Sequence, residues 1–124
     1  MDRELTISRY LPIRYGVISR IKDVVSVVQG SNLEVDLILF GSCAWGFATY
    51  MSDIDILVLT DGDISEEYKY LFKQIEDKYE QLMLPVHFTF RDFNTFKDSN
   101  ERFECQIKAG GFLLYANGLF KNSN

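Results

Sequence analysis

The chain has 124 residues, a net charge of −5, and a composition that is 47% hydrophobic and 25% charged. This length predicts a single domain over residues 1–124, with one core and no separate domain for substrate recognition. The acidic balance, without a Lys/Arg cluster, argues against binding to duplex DNA, because such binding depends on basic groups that neutralise phosphates. No stretch approaches the roughly 18 apolar residues of a membrane span, so we expect a cytoplasmic protein without membrane contact.

The predicted elements begin with a one-faced helix over residues 13–28, which Gly30 ends. A short apolar strand over residues 35–40 follows, and we expect Asp36 near its start to be solvated. Residues 43–50 can form two helical turns at most, whereas a parallel crossover needs about twelve residues or more. The second apolar strand, which begins at Asp53, is therefore predicted to run antiparallel to the first.

Ser65 is predicted to cap a helix that runs to residue 82 and is long enough for a right-handed crossover. The next strand, over residues 84–90, should then lie parallel to the second. A short segment to residue 98 and a last helix over residues 101–109 follow, and the apolar tail after them either returns to the core or forms an interface. The predicted fold class is α/β (α+β), with a small mixed sheet of three to four strands flanked by helices.

Paired carboxylates at the start of the second strand are the first candidate site. Asp53 and Asp55 lie two residues apart, so their side chains point to the same face of a strand. Two acids beside a buried strand cost free energy unless a cation neutralises them, and a divalent metal ion commonly does so. Because parallel neighbours align their starts, we expect His87 of the third strand to face the same pocket.

A Gly-Ser turn ends the first strand at Gly41 and Ser42. Glycine allows a phosphate to approach the backbone, and the exposed N–H groups of such a turn favour an anion. The antiparallel arrangement brings this turn next to Asp53 and Asp55. The combination predicts a nucleoside triphosphate held through magnesium, and hence nucleotidyl transfer.

The pattern GSxAxG followed by SDIDILV resembles the minimal nucleotidyltransferase branch of the DNA polymerase beta-like nucleotidyltransferase superfamily. The matching residues are Gly41, Ser42, Ala44, Gly46, Ser52, Asp53 and Asp55. The resemblance implies the nucleotidyltransferase fold, with Gly41, Ser42 and Ser52 at the nucleotide. It also implies that Asp53 and Asp55 coordinate magnesium (or manganese), with ATP as the expected substrate.

The largest departure from the family pattern is His87, which occupies the position of an expected third carboxylate. Histidine can accept a proton near neutral pH or bind manganese, but it is a poor magnesium ligand. His87 is thus either a working base or a residue that merely fills the place of an acid. Many relatives also carry arginine at the two variable places of GSxAxG and an acid just after it, where this chain has Cys43, Trp45 and Phe47; we interpret Cys43 as packing. With Cys105 it forms no CxxC spacing, so both thiols are expected to be reduced.

Small members of this family resemble antitoxins of two-gene modules whose partner is a helical HEPN-type protein, and some transfer AMP from ATP to a tyrosine of that partner. The resemblance therefore implies a nucleotidyltransferase that modifies a partner protein. The alternative is a catalytically weakened module that acts by binding the helical partner. A homo-oligomer also remains open as the partner, and transfer to a small hydroxylated compound ranks lower because it usually needs a further domain.

Overall fold

A computed structural model describes residues 15–44, 53–118 and 120. Within them every predicted element is present, with ends shifted by at most two residues. The elements in chain order are α1 (Tyr15–Gly30), β1 (Asp36–Phe40), β2 (Ile54–Thr60), α2 (Glu66–Gln81), β3 (Val86–Asp92), α3 (Phe93–Asp98), α4 (Arg102–Gly110) and β4 (Phe112–Ala116).

The strands form a four-stranded sheet in the order β3-β2-β1-β4. β1 and β2 are antiparallel, and β2 and β3 are parallel, so both predicted directions are confirmed. The apolar tail returns to the sheet as β4, which pairs antiparallel with β1. The predicted mixed sheet flanked by helices is therefore confirmed, and β1 and β2 are its central strands.

Each face of the sheet is covered by its own apolar cluster. Ile54, Ile56 and Val58 of β2 pack on the face that α1 and α2 cover. Leu57 and Leu59 pack on the opposite face with Phe93, Phe96 and Ile107 of α3 and α4. Because side chains alternate along a strand, Asp55 belongs to the α3/α4 face. No described helix is long and apolar enough to cross a membrane.

The crossover helix α2 begins as predicted, since the Ser65 hydroxyl accepts a hydrogen bond from the Tyr68 N–H at 3.3 Å. Along its length, Glu76 accepts a hydrogen bond from the backbone N–H of Phe88 at 3.0 Å. Phe88 lies on β3, an edge strand whose outward N–H groups would otherwise be open to another chain. α2 thus both connects β2 to β3 and covers part of the outer edge of β3.

The prediction that Asp36 is solvated is wrong. Its side chain is fully buried, and its carboxylate accepts hydrogen bonds from the N–H groups of Gly118 at 2.9 Å and Phe120 at 3.2 Å. The reason is the pairing of β4 with β1, which brings the chain that follows β4 over the start of β1. Asp36 therefore holds the backbone at Gly118 and Phe120 against the sheet.

Candidate active site

The register between β2 and β3 brings the imidazole to the carboxylates. Asp55 is the direct partner of His87 across the parallel ladder. The His87 Nε2 atom lies 3.4 Å from Asp53 Oδ2, and both side chains are more than half exposed. The structure thus brings Asp53, Asp55 and His87 together at one end of the sheet, at a place open to solvent.

The register between β1 and β2 brings the Gly-Ser turn to the same place. Phe40 pairs with Asp55, so Gly41 is the first residue beyond the ladder. Gly41 has a φ of +78°, and a Cβ at this position would lie 2.6 Å from Asp55 Oδ2. Both the backbone conformation and the close carboxylate require glycine here. Ser42 follows with an exposed side chain.

The electrostatics of the pair favour a cation. The pKa of Asp55 is raised above its usual value, mainly because burial disfavours the charged carboxylate. Nearby His87 opposes this rise, and the negative charge of Asp53 adds to it. The absence of a Cβ at Gly41 leaves Asp55 Oδ2 approachable from the turn. These oxygen donors fit a divalent ion, since magnesium is commonly held by one or two carboxylates together with substrate phosphates.

No group of three acidic, histidine or cysteine side chains within residues 15–44 and 53–118 is arranged to hold a metal ion. An ion bound by Asp53 and Asp55 would therefore complete its coordination with phosphates, water or residues outside those ranges.

The Gly-Ser turn is tied to the segment that carries the aspartates. The Ala44 N–H donates to the Gly41 carbonyl at 3.0 Å, and the Cys43 Sγ donates to the Asp53 carbonyl at 3.3 Å. Cys43 is fully buried, and burial raises the pKa of its thiol. A thiol in this state is a poor nucleophile, which agrees with its interpretation as packing.

Some residues of the predicted site lie outside the described part of the chain: Ser52, Gly46, Trp45 and Phe47. Two buried charged residues were not identified from the sequence as special. Arg20 is 2% exposed, and Glu104 is 7% exposed. The helical spacing could have indicated the burial of Arg20, because this residue lies three positions after Val17 and four before Val24, on the buried stripe of α1.

A mixed sheet that joins a Gly-Ser turn, two carboxylates and a crossover helix defines the nucleotidyltransferase class. The family model described as "Nucleotidyltransferase domain" matches residues 18–108, which is most of the chain. This protein belongs to the nucleotidyltransferase domain family, and the family resemblance inferred from its sequence is confirmed. No curated protein matches the chain.

Solved structures with a similar fold include a chain of a toxin–antitoxin crystal structure with AMP-PNP. That chain is 19% identical, with a TM-score of 0.53 over 77% of this chain and 73% of the other. A second comes from a structure of a tri-AMPylated Shewanella oneidensis HEPN toxin in complex with an MNT antitoxin. It is 20% identical, with a TM-score of 0.47 over 79% of this chain and 71% of the other. At 19% identity, the likeness to the first of these two chains concerns the fold.

Proposed function

We propose that this protein is a metal-dependent nucleotidyltransferase that transfers AMP from ATP to a hydroxyl group of a HEPN-type partner protein. The observation that carries the proposal is the position of the Gly41 backbone beside the Asp55 carboxylate, where a Cβ on residue 41 would lie 2.6 Å from Asp55 Oδ2. It joins a turn able to take a phosphate to an acidic pair able to take a divalent ion. Neither feature alone would distinguish a nucleotide site from an ordinary strand end.

Each residue of the site has a role in this proposal. The backbone at Gly41 and the hydroxyls of Ser42 and Ser52 would bind the triphosphate. Asp53 and Asp55 would hold magnesium or manganese, which would neutralise negative charge on the phosphates. The acceptor oxygen attacks the α-phosphorus, the bond from that phosphorus to the α,β-bridging oxygen breaks, and pyrophosphate leaves.

His87 is proposed as the group that takes the proton from the acceptor hydroxyl. Its ring lies 3.4 Å from Asp53 and is 54% exposed, so an acceptor can reach it. Imidazole can accept a proton near neutral pH, and after transfer it can release that proton to solvent. In this role His87 would take over the activation of the hydroxyl, while the carboxylates would keep the metal.

A partner protein as acceptor is supported by a structural neighbour and by the sequence resemblance. The structure with a TM-score of 0.53 is of a toxin–antitoxin with AMP-PNP, an analogue of ATP. The sequence resemblance adds the HEPN-type partner and the tyrosine hydroxyl as the expected acceptor.

A second candidate function is neutralisation of the helical partner by binding alone. It is favoured by His87, which lies beside Asp53 at the place where the family pattern has a third carboxylate. A site with two acids can retain a nucleotide without turning it over at a useful rate.

The two candidates are separated by incubating the protein and its helical partner with ATP labelled on the α-phosphate. Magnesium and manganese are supplied in separate reactions. We expect label on the partner with the wild-type protein and none with the Asp53→Asn/Asp55→Asn variant, because the variant lacks the charge that holds the metal. A tight complex without label under either metal would contradict transfer and leave neutralisation by binding.

A further inference from the structure

A buried arginine contacts the start of the strand that carries His87. Arg20 of α1 is 2% exposed, and its Nη1 donates a hydrogen bond to the Pro85 carbonyl at 3.2 Å. A guanidinium is costly to bury, and an aliphatic side chain would fill the stripe between Val17 and Val24 more cheaply. The position of this charge therefore calls for a role beyond packing.

The Pro85 carbonyl connects the two strands that carry the site. Besides Arg20, it accepts the backbone N–H of Ile54 at 3.0 Å. Ile54 lies between Asp53 and Asp55, and Pro85 lies two residues before His87. One oxygen atom thus joins the start of β2 to the start of β3, and Arg20 holds that oxygen from the side of α1.

The Gly-Ser turn is joined to the same strand start. Cys43, two residues after Gly41, donates from Sγ to the Asp53 carbonyl at 3.3 Å. The three segments that supply site residues are therefore connected by hydrogen bonds at the start of β2.

We propose that Arg20 is a positioning residue that fixes the start of β3 against the start of β2, and so sets the spacing of Asp53, Asp55 and His87. It touches neither metal nor substrate. The purpose of this spacing, which is to bind the metal and the nucleotide, rests on the proposed function. The effect of Arg20 on the start of the strands can be measured without metal or nucleotide.

The test compares wild type with two variants. Arg20→Met keeps an apolar side chain of similar length, and Arg20→Lys keeps the positive charge on a single donor nitrogen. Hydrogen exchange of the Ile54 amide is measured by NMR relative to the Val58 amide in the middle of the same strand. We expect Ile54 exchange to become at least 10-fold faster in Arg20→Met, with Arg20→Lys between the two. Mn²⁺ affinity, measured by calorimetry with ATP present, should fall about 10-fold in Arg20→Met.

Asp23→Asn is the matched control, because Asp23 lies on the same helix and joins α1 to Tyr79 of α2 instead of to the strand ends. Asp23→Asn should lower stability and leave the Ile54-to-Val58 exchange ratio and the Mn²⁺ affinity unchanged.

The inference is overturned if both Arg20 variants keep the wild-type exchange ratio. It is also overturned if Arg20→Met binds Mn²⁺ more tightly, as simple removal of a positive charge would predict. If Arg20→Met does not fold, Arg20→Lys alone decides through the exchange ratio. If wild type binds no Mn²⁺, the proposed function fails while the exchange ratio still decides the role of Arg20.

Discussion

Gly41 offers the sharpest test of the site at the scale of one residue. In Gly41→Ala the new methyl would lie 2.6 Å from Asp55 Oδ2 at a φ of +78°, so the turn or the carboxylate must move. We expect Mn²⁺–ATP affinity to fall at least 10-fold, as measured by calorimetry. Gly62→Ala is the control, because Gly62 has the same φ and nothing within 4 Å of the added methyl. Both variants should lose about 1–2 kcal/mol of stability from the left-handed backbone. Equal nucleotide affinity in both would show that Gly41 serves the turn only.

His87 decides how far the site can use magnesium. In His87→Asp the new carboxylate would stand beside Asp55 on the ladder and supply a hard oxygen where magnesium prefers one. With His87 as the proposed base, we expect transfer in the labelling assay to fall in His87→Asp and also in His87→Asn, the control that removes the imidazole without adding charge. A rise of about 10-fold or more in magnesium-dependent transfer in His87→Asp would instead show that His87 merely fills the place of an acid.

At the scale of elements, the contact between α1 and α2 depends on a charged hydrogen bond. The Tyr79 hydroxyl donates to Asp23 at 2.6 Å, and Lys78 donates to the same oxygen at 3.0 Å. The Tyr79 hydrogen bond is the main cause that lowers the pKa of Asp23 below its usual 3.8, against the opposing effect of burial. A depressed pKa in the folded state stabilises the fold above pH 3.8, and this stabilisation is lost as the pH falls through the folded-state pKa.

Tyr79→Phe should therefore lower the free energy of unfolding by about 1 kcal/mol at pH 7, with a smaller difference from wild type at pH 3. Urea denaturation at the two pH values measures it. Tyr70→Phe is the matched control, because Tyr70 lies on the same helix with 60% of its surface exposed, and its hydroxyl loss should change little. A pH-independent difference for Tyr79→Phe would mean that the charge of Asp23 contributes nothing to the contact.

The directions of the strands could be predicted because they follow from the lengths of the connections. The short segment after Ser42 enforces an antiparallel turn, and the sixteen-residue α2 permits a parallel crossover. The approach of His87 to Asp53 then followed from the alignment of parallel strands. The burial of Asp36 could not be predicted in this way, because its partners Gly118 and Phe120 lie 82 and 84 residues away along the chain. For Arg20, helical spacing indicates the buried stripe, but its hydrogen-bond partner Pro85 lies 65 residues away and could not be predicted from a local pattern.

At the scale of the whole molecule, Asp36 joins the beginning of the sheet to the end of the chain. Its two carboxylate oxygens accept one N–H each, from Gly118 and Phe120. In Asp36→Asn the amide oxygen can accept only one of these two hydrogen bonds. The NH₂ group that replaces the other oxygen is a donor and would face the second backbone N–H. We expect a loss of about 2 kcal/mol in thermal or urea denaturation. The control is Asp61→Asn, at an exposed position, which should leave stability unchanged. An unchanged stability in Asp36→Asn as well would mean that these two hydrogen bonds are not needed for the pairing of β4 with β1.

The ladder between β2 and β3 also has a genetic consequence. Backbone pairing, and not the side chain, places residue 87 beside Asp55, so the position stays the same whichever side chain occupies it. Histidine and aspartate codons differ only in their first base. One point mutation could therefore move this protein between an imidazole site and a three-carboxylate site without rebuilding the fold, which would make its activity adjustable over short evolutionary times.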